Sequence, residues 1–199
     1  MSALADDLLL PAWTDGVHAS QATFRCVLSA LAEPGMRKTM PVRIDGPAPL
    51  APATTALCLA LMDFETPVWR DAAAATPAVA SYLRFHCGCP LVGNCSQAGF
   101  GIVADPGPIL LNKFSQGTMD YPDRSCTLVI QLPGFDGGPV RTLSGPGIER
   151  TRTLLVDGLP DDFDVQWHEN NSTFPLGVDI IFCCGDEIIG LPRTTCIQS

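Results

Sequence analysis

Basic residues are scarce in this sequence of 199 residues. Lysine and arginine together number 12, against 21 aspartates and glutamates, which gives a formal net charge of −9. Proteins that bind nucleic acids concentrate basic residues in patches or along one face, and no such cluster occurs here. The sequence therefore argues against a nucleic-acid partner, although a single well-placed arginine would suffice to hold a small anion.

Long hydrophobic runs are also missing, although 46% of the residues are hydrophobic. A membrane-spanning helix needs roughly 20 consecutive apolar residues, and no run approaches that length. Residues 1–11 contain no basic residue ahead of the short apolar stretch 8–10, which is unlike a secretion signal. We therefore expect a cytoplasmic protein without membrane contact.

The cysteines lack the spacing of common zinc sites. There are nine of them, an odd number, and no signal segment points to an oxidising compartment. Cys87 and Cys89 are separated by one residue rather than two, and Cys95 has no second ligand pair at a suitable distance. We expect reduced thiols, mostly buried, and no bound metal.

Several catalytic motifs are absent as well. Residues 144–147 (Ser-Gly-Pro-Gly) suggest a phosphate-binding loop, but no Gly-Lys-Ser/Thr follows and Pro146 removes one backbone N–H. No Gly-x-Ser-x-Gly sequence is present, so a hydrolase nucleophile has no seat. The chain has only two lysines, Lys38 and Lys113, and both read as surface residues rather than as the Schiff-base lysine of a pyridoxal-phosphate enzyme. We expect no cofactor.

Helical and strand patterns alternate along the chain, which favours an α/β fold in three layers. The patterns predict helices at 15–33, 54–62, 76–85, 109–114 and 161–170. They predict strands at 36–44, 66–69, 99–104, 125–132, 139–143, 178–184 and 187–191. No linker divides the chain, so we expect an N-terminal arm at 1–13 and a single α/β domain at 14–199.

Three of these predictions are specific enough to test against a structure. Asp15 should cap the first helix, whose buried stripe should be Phe24, Val27, Leu28 and Leu31. The strand at 139–143 should pair with the strand at 125–132. The strands at 178–184 and 187–191 should form a hairpin.

Four polar residues are candidates for contact with a ligand or a partner. Arg84 and His86 end a predicted helix, where they either interact with its last carbonyl groups or act as an anion clamp and an acid–base group. Arg193 follows the last predicted strand and suits a phosphate, a partner's carboxylate or a surface position equally well. Asp179 interrupts an apolar strand and needs a cationic partner, for which Arg84 and Arg193 are the candidates.

Several uncommon segments, taken in order, resemble the PhnH family, one of the components of the bacterial carbon–phosphorus lyase core complex. The resemblance extends from about residue 17 to residue 196. The segments that carry it are residues 24–25 (Phe-Arg), 33–35 (Glu-Pro-Gly), 63–69 (Asp-Phe-Glu-Thr-Pro-Val-Trp), 83–86 (Leu-Arg-Phe-His), 143–148 (Leu-Ser-Gly-Pro-Gly-Ile), 174–179 (Phe-Pro-Leu-Gly-Val-Asp) and 191–195 (Leu-Pro-Arg-Thr-Thr).

This resemblance implies a fold similar to that of pyridoxal-phosphate-dependent transferases, without the cofactor. It implies action with subunits G, I and J and with the ATPase-like subunit L, which together attach an alkylphosphonate to the ribose of ATP with loss of adenine. Subunit J later breaks the carbon–phosphorus bond. The PhnH family provides no settled catalytic residues, so the catalytic residues are unknown.

The resemblance therefore predicts an assembly component that forms a homodimer in isolation and is inactive alone. Two other functions remain open on the sequence. One is an independent cofactor-free transferase, which would turn over substrate without partners. The other is a nucleotide- or phosphonate-binding module, which would bind its ligand without turnover.

Overall fold

Four α-helices and nine strands occur in residues 10–107 and 109–198, the part of the chain that the computed structural model describes. The helices are α1 (Gly16–Ala32), α2 (Pro52–Leu61), α3 (Pro77–His86) and α4 (Phe163–Ser172). The strands are β1 (Arg37–Thr39), β2 (Val68–Arg70), β3 (Phe100–Val103), β4 (Thr127–Gln131), β5 (Arg141–Ser144), β6 (Arg152–Leu154), β7 (Asp179–Cys184), β8 (Glu187–Leu191) and β9 (Cys196–Gln198).

Six strands form a mixed sheet in the order β1-β8-β7-β4-β3-β2. Strands β2, β3, β4 and β7 run parallel, while β8 is antiparallel to β7 and to β1. Strands β7 and β8 form the predicted hairpin, with Gly185 at φ +58° in its turn. Strands that alternate with helices give the parallel part, as expected for an α/β protein.

The strand at 139–143 was predicted to pair with the strand at 125–132, and this is wrong. Strand β5 lies instead at the centre of a separate antiparallel sheet, in the order β6-β5-β9. Strand β4 already has β3 on one side and β7 on the other, so both of its edges are occupied. Strands β6 and β9, three residues each, were not predicted.

The main sheet is covered on both faces, which gives the expected three layers. On one face, Val129, Ile181 and Ile188 pack with helices α1 and α2, and Ile102 packs with α3. On the other face, the sheet packs against Phe163 and Trp167 of α4 and against the three-stranded sheet. The structure is therefore a mixed α/β arrangement, in agreement with the predicted class.

Helix α1 begins as predicted, because the Asp15 side chain accepts a hydrogen bond from the backbone N–H of His18 at 3.2 Å. Its predicted buried stripe is partly wrong. Val27 is buried, but Phe24 and Leu28 are 46% and 49% exposed. The side chains that α1 buries are small: Ala19, Thr23, Val27 and Ala30.

Close packing of α1 on β8 explains the small buried face. A Cβ atom at Gly190 of β8 would lie 2.5 Å from the carbonyl oxygen of Ala30. A helix this close to a strand leaves no room for a phenylalanine or leucine between them. The larger apolar side chains therefore point away from the sheet.

Other boundaries differ in ways that have a local cause. The predicted strand 36–44 is reduced to β1, because its partner β8 reaches the hairpin turn where Thr39 pairs with Glu187. The predicted helix 109–114 is a single 3-10 turn at Leu111–Lys113. Most of the predicted N-terminal arm at 1–13 lies outside the described residues. Within the described residues, no helix combines the length and the hydropathy that crossing a membrane requires.

Candidate functional site

Asp179 and Arg193 form the ion pair that was one of the two predicted alternatives. Asp179 is the first residue of β7, and Arg193 lies two residues beyond the end of β8. The Arg193 Nε and Nη2 atoms donate to the two carboxylate oxygens of Asp179 at 3.1 and 2.5 Å. The backbone N–H of Arg193 donates to the same carboxylate at 2.8 Å. This bidentate geometry is the strongest form of a carboxylate–guanidinium contact.

The rest of the Arg193 guanidinium is also engaged within the chain. Its Nη1 atom donates to the carbonyl oxygens of Pro122 at 3.0 Å and Pro175 at 3.4 Å. Its Nη2 atom also donates to the Ser125 hydroxyl. The side chain is only 12% exposed. Since its N–H groups are directed at protein oxygens, Arg193 ties together the loops at the start of β4 and β7.

Arg84 lies in a different environment, on the last turn of α3. This helix begins at Thr76, whose hydroxyl accepts from the Val79 backbone N–H at 3.1 Å. Arg84 is exposed, and no hydrogen bond or ion pair of its side chain occurs among the described residues. Phe85 beside it is 73% exposed. Arg84 therefore contacts neither Asp179 nor Arg193.

His86 was predicted either to interact with the last carbonyls of its own helix or to serve as an acid–base group. In the structure its Nε2 atom lies 3.0 Å from the carbonyl oxygen of Leu10, at the start of the described chain. The His86 ring packs against Tyr82 and Phe85, with ring centroids 4.4 and 4.8 Å away. His86 thus joins the N-terminal segment to the end of α3.

A second exposed phenylalanine completes this area. Phe64, in the loop after α2, is 73% exposed and lies near Gly88, just beyond α3. We refer to Phe64, Arg84, Phe85 and His86 as the α3-end surface. Aromatic side chains and arginine are the residue types enriched where proteins bind each other.

His86 also lines a groove between α1 and the region of α2 and α3. The groove has a volume of about 710 Å³. We call it the α1–α3 groove, and its walls include Trp13, Val17, Gln21, Phe24, Leu59 and His86. A volume of this size is within the range of small-molecule sites.

The exposed side of α1 borders this groove and carries an apolar stripe. Val17, Phe24 and Leu28 are 80%, 46% and 49% exposed. Their spacing of seven and four residues places them on one face of the helix. We call these three residues the α1 stripe. An exposed apolar face on a helix whose opposite face is buried marks a protein contact.

The three cysteines considered together in the sequence are not together in the structure. Cys87 and Cys89 belong to the core beneath α3, whereas Cys95 packs on the opposite side of the sheet. Among the described residues, no group of three or more potential metal ligands comes together. Elsewhere, burial raises the pKa of Cys126 and of Cys183 to about 12, as expected for inert core thiols.

Two further polar arrangements were not found from the sequence. The buried Arg141 donates from Nε to the Asp164 carboxylate at 2.5 Å. The Asp71 carboxylate, just beyond β2, accepts backbone N–H groups from Ala74, Ala104 and Asp105 at 2.7 to 2.9 Å. Both join segments that are distant in the sequence, so periodicity gives no signal for either.

Comparison with known proteins gives a consistent family assignment. Residues 11–198 match the family described as bacterial phosphonate metabolism protein (PhnH). The chain is 33% identical over 191 residues to alpha-D-ribose 1-methylphosphonate 5-triphosphate synthase subunit PhnH of Rhizobium meliloti (strain 1021), covering 94% of each chain. It is 38% identical over 102 residues to the putative C-P lyase subunit protein HtxG of Stutzerimonas stutzeri, covering 51% of this chain and 52% of the relative. The chain therefore belongs to the PhnH family of bacterial phosphonate metabolism proteins.

Proposed function

We propose that this protein is an assembly component of the carbon–phosphorus lyase system and that it acts only together with its partner subunits. The observation that carries the proposal is the pair of unpartnered surfaces, the α1 stripe and the α3-end surface. The Rhizobium meliloti relative is named as a subunit of a ribose phosphonate triphosphate synthase, which supports the same pathway for this chain.

The reaction we propose for the complete system joins an alkylphosphonate to the ribose of ATP with loss of adenine. Subunits G, I and L act with this chain in that step, and subunit J breaks the carbon–phosphorus bond afterwards. A displacement at a ribose carbon requires two anionic substrates to be held in line. The Asp179–Arg193 pair is occupied within the fold, so Arg84 and His86 remain the candidates for a ligand or partner contact. These two side chains are too few for the whole reaction, which favours an assembly role.

The isolated chain is proposed to be a homodimer that forms through the α1 stripe. A two-fold axis would place Val17, Phe24 and Leu28 against the same residues of a second copy and remove them from water. A charge in the middle of this contact would lack a partner and oppose association.

Light scattering on matched variants tests this proposal. The wild-type chain and Val165→Asp, a change at a 62% exposed position of α4, should both be dimers at micromolar concentration. Phe24→Asp should be a monomer with unchanged circular dichroism. A monomeric wild type, or a Phe24→Asp variant that remains dimeric, would contradict the proposed interface.

The α3-end surface is proposed to contact the other subunits of the core complex, G, I and J. Co-purification with these subunits should be weakened by Arg84→Ala and by Phe85→Ala. Arg150→Ala, at an exposed arginine of the β5–β6 loop, is the matched control and should co-purify normally. Equal recovery of all three variants would remove this surface from the interface.

A substrate role for the α1–α3 groove is the main alternative for His86. If the groove binds a nucleotide, His86→Ala should leave co-purification intact and slow the assembled complex. If His86 only holds the N-terminal segment through Leu10, the variant should instead lose the order of that segment. The two results separate a binding module from a docking residue.

We also propose that the fold is related to the pyridoxal-phosphate-dependent transferases but works without the cofactor. The Lys38 ammonium group is engaged by the Glu33 carboxylate, and Lys113 is exposed on a 3-10 turn. Neither offers a buried amine for a Schiff base. The purified protein should be colourless, and pyridoxal phosphate should add no absorbance band that depends on Lys38 or Lys113.

Residues 14–199 are proposed to form one domain in a cytoplasmic protein. Strand β9, near the end of the chain, pairs with β5, and β1, near its start, pairs with β8. Such pairings between distant segments make independent folding of either half unfavourable. Limited proteolysis should therefore leave one resistant fragment that begins near residue 14.

A further inference from the structure

Cys87 and Cys89 follow the last turn of α3 and are separated only by Gly88. Cys87 has helical φ and ψ angles of −103° and −24°, whereas Gly88 has a φ of +67°. This reversal folds the backbone back on itself, and the N–H groups of Cys87 and Gly88 both donate to the Leu83 carbonyl oxygen, at 2.9 and 3.1 Å. Residues two apart in a folded-back segment lie within the Cα separation of roughly 4.4–6.8 Å that a disulfide allows.

Both thiols point into the same small space beneath the end of the helix. The Cys87 Sγ atom donates to the Cys58 carbonyl oxygen at 3.5 Å, and the Cys89 Sγ atom donates to the Leu83 carbonyl oxygen at 3.9 Å. Cys87 is half-buried and Cys89 is 2% exposed. The outer thiol therefore has solvent access, while the inner one lies directly behind it.

The surroundings favour a thiolate at Cys89. Hydrogen bonding from the Cys87 side chain lowers the pKa of Cys89, and the positive charges of Arg70 and Arg84 lower it further. The same interaction and burial raise the pKa of Cys87, so the proton stays on that sulfur. Arg70 makes one hydrogen bond, to the Thr76 carbonyl oxygen at 3.4 Å, and no ion pair among the described residues. A thiolate is the reactive form of cysteine towards oxidants.

We propose that Cys87 and Cys89 form a reversible oxidation site, which closes to an intramolecular disulfide when it meets a small hydroperoxide. The site depends on this chain's own residues and is independent of partner subunits and of the phosphonate reaction. The tight packing of Cys89 restricts access to small oxidants, because a bulky reagent does not reach a side chain that is 2% exposed.

The reaction balances with hydrogen peroxide as the two-electron oxidant. The Cys89 thiolate attacks one peroxide oxygen, the O–O bond breaks, and the released hydroxide takes up the proton that Cys89 lost, giving sulfenic acid and water. The Cys87 sulfur then attacks the Cys89 sulfur, so the S–S bond forms and the S–OH bond breaks. The leaving hydroxide departs as a second water with the Cys87 proton.

Mass spectrometry of the full-length protein after mild peroxide treatment tests the site. The wild type should lose two hydrogen atoms, and a digest under non-reducing conditions should contain Cys87 joined to Cys89. Dithiothreitol should restore the original mass. Cys58→Ser should behave like the wild type, whereas Cys87→Ala and Cys89→Ala should not lose the two hydrogens.

Other cysteines of the same chain provide the internal controls. Cys183 and Cys184 are neighbours on β7 with alternate directions, so they should remain reduced under the same treatment. A wild-type digest without the Cys87–Cys89 link, or with either residue joined to Cys58, would overturn the proposal. Because that digest uses the unmodified protein, the result does not depend on whether a variant folds.

Discussion

Two arginines of this protein show how differently the same side chain is used in two regions of the molecule. Arg193 lies in a closed region, where Asp179, Ser125 and two carbonyl groups surround its guanidinium. Arg84 lies in an open region at the end of α3, exposed and beside the exposed ring of Phe85. A charged group whose contacts are all internal stabilises the fold, whereas an unpartnered one is available to another molecule.

Helix α1 repeats this contrast on its two faces. Its inner face, with Ala30 against Gly190, packs closely on β8. Its outer face exposes Phe24 and Leu28, which are the larger apolar residues of the helix. Size rather than hydropathy thus decides which apolar residues face the sheet. The closed region should respond to mutation by losing stability, and the open region by losing association.

The largest expected difference is between the two arginines. Arg193→Ala leaves the Asp179 carboxylate partly buried without its cation and should lower the free energy of unfolding by about 3–5 kcal/mol. Arg84→Ala removes no internal partner and should change it by less than about 0.5 kcal/mol. Urea unfolding of both variants measures the difference. Similar losses in the two variants would break the distinction between the closed and open regions.

The two faces of α1 should differ by a smaller amount. Gly190→Ala forces a Cβ atom against the Ala30 carbonyl and should cost about 1–3 kcal/mol. Leu28→Ala, on the outer face, should cost the monomer less than about 0.5 kcal/mol. Thermal unfolding of both variants in the monomeric Phe24→Asp background gives the comparison without the contribution of dimerisation. A larger loss from Leu28→Ala would mean that this face is not open in the monomer.

The Glu33–Lys38 pair lies between these extremes and should show the smallest effect. Hydrogen bonds from Lys38 and Ser29 hold the pKa of the Glu33 carboxyl below its ordinary value of 4.5. A carboxyl whose folded-state pKa is lowered contributes stability above its ordinary pKa, and this contribution disappears as the pH falls through the lowered value.

Titration of the Glu33 carboxyl by NMR measures this directly. The Glu33 pKa should rise towards its ordinary value in Lys38→Ala, and the stability difference between that variant and the wild type should vanish in acid. Lys113→Ala, a change at an exposed lysine, should leave the Glu33 pKa where it is. An unchanged Glu33 pKa in Lys38→Ala would show that the pair is solvated.

Local signals in the sequence predicted the elements that depend on local interactions. The Asp15 and Thr76 caps, the hairpin around Gly185 and the buried helix α2 all follow from residues near one another in the chain. The pairing of β5 was mistaken because it depends on which strand edges are already occupied. That information is a property of the whole sheet, and no segment of the sequence carries it.

The candidate site was predictable only in part, for a related reason. The apolar surroundings of Asp179 showed that it needed a cation, and Arg193 is that cation. The link between His86 and Leu10 joins residues 76 positions apart, so no local pattern reveals it. The exposure of Phe24 was hidden because periodicity identifies one helix face as apolar without showing how closely the helix packs.

Adenine release from ATP in the presence of methylphosphonate tests the proposed function most directly. Purified protein is incubated first alone and then with subunits G, I and L, and adenine is quantified by chromatography. The assembly role predicts no adenine above the no-protein control for the isolated chain and clear release by the complete set. It further predicts that omitting this chain from the set abolishes release. Adenine release by the isolated chain, or full activity of the set without it, would contradict the role proposed here.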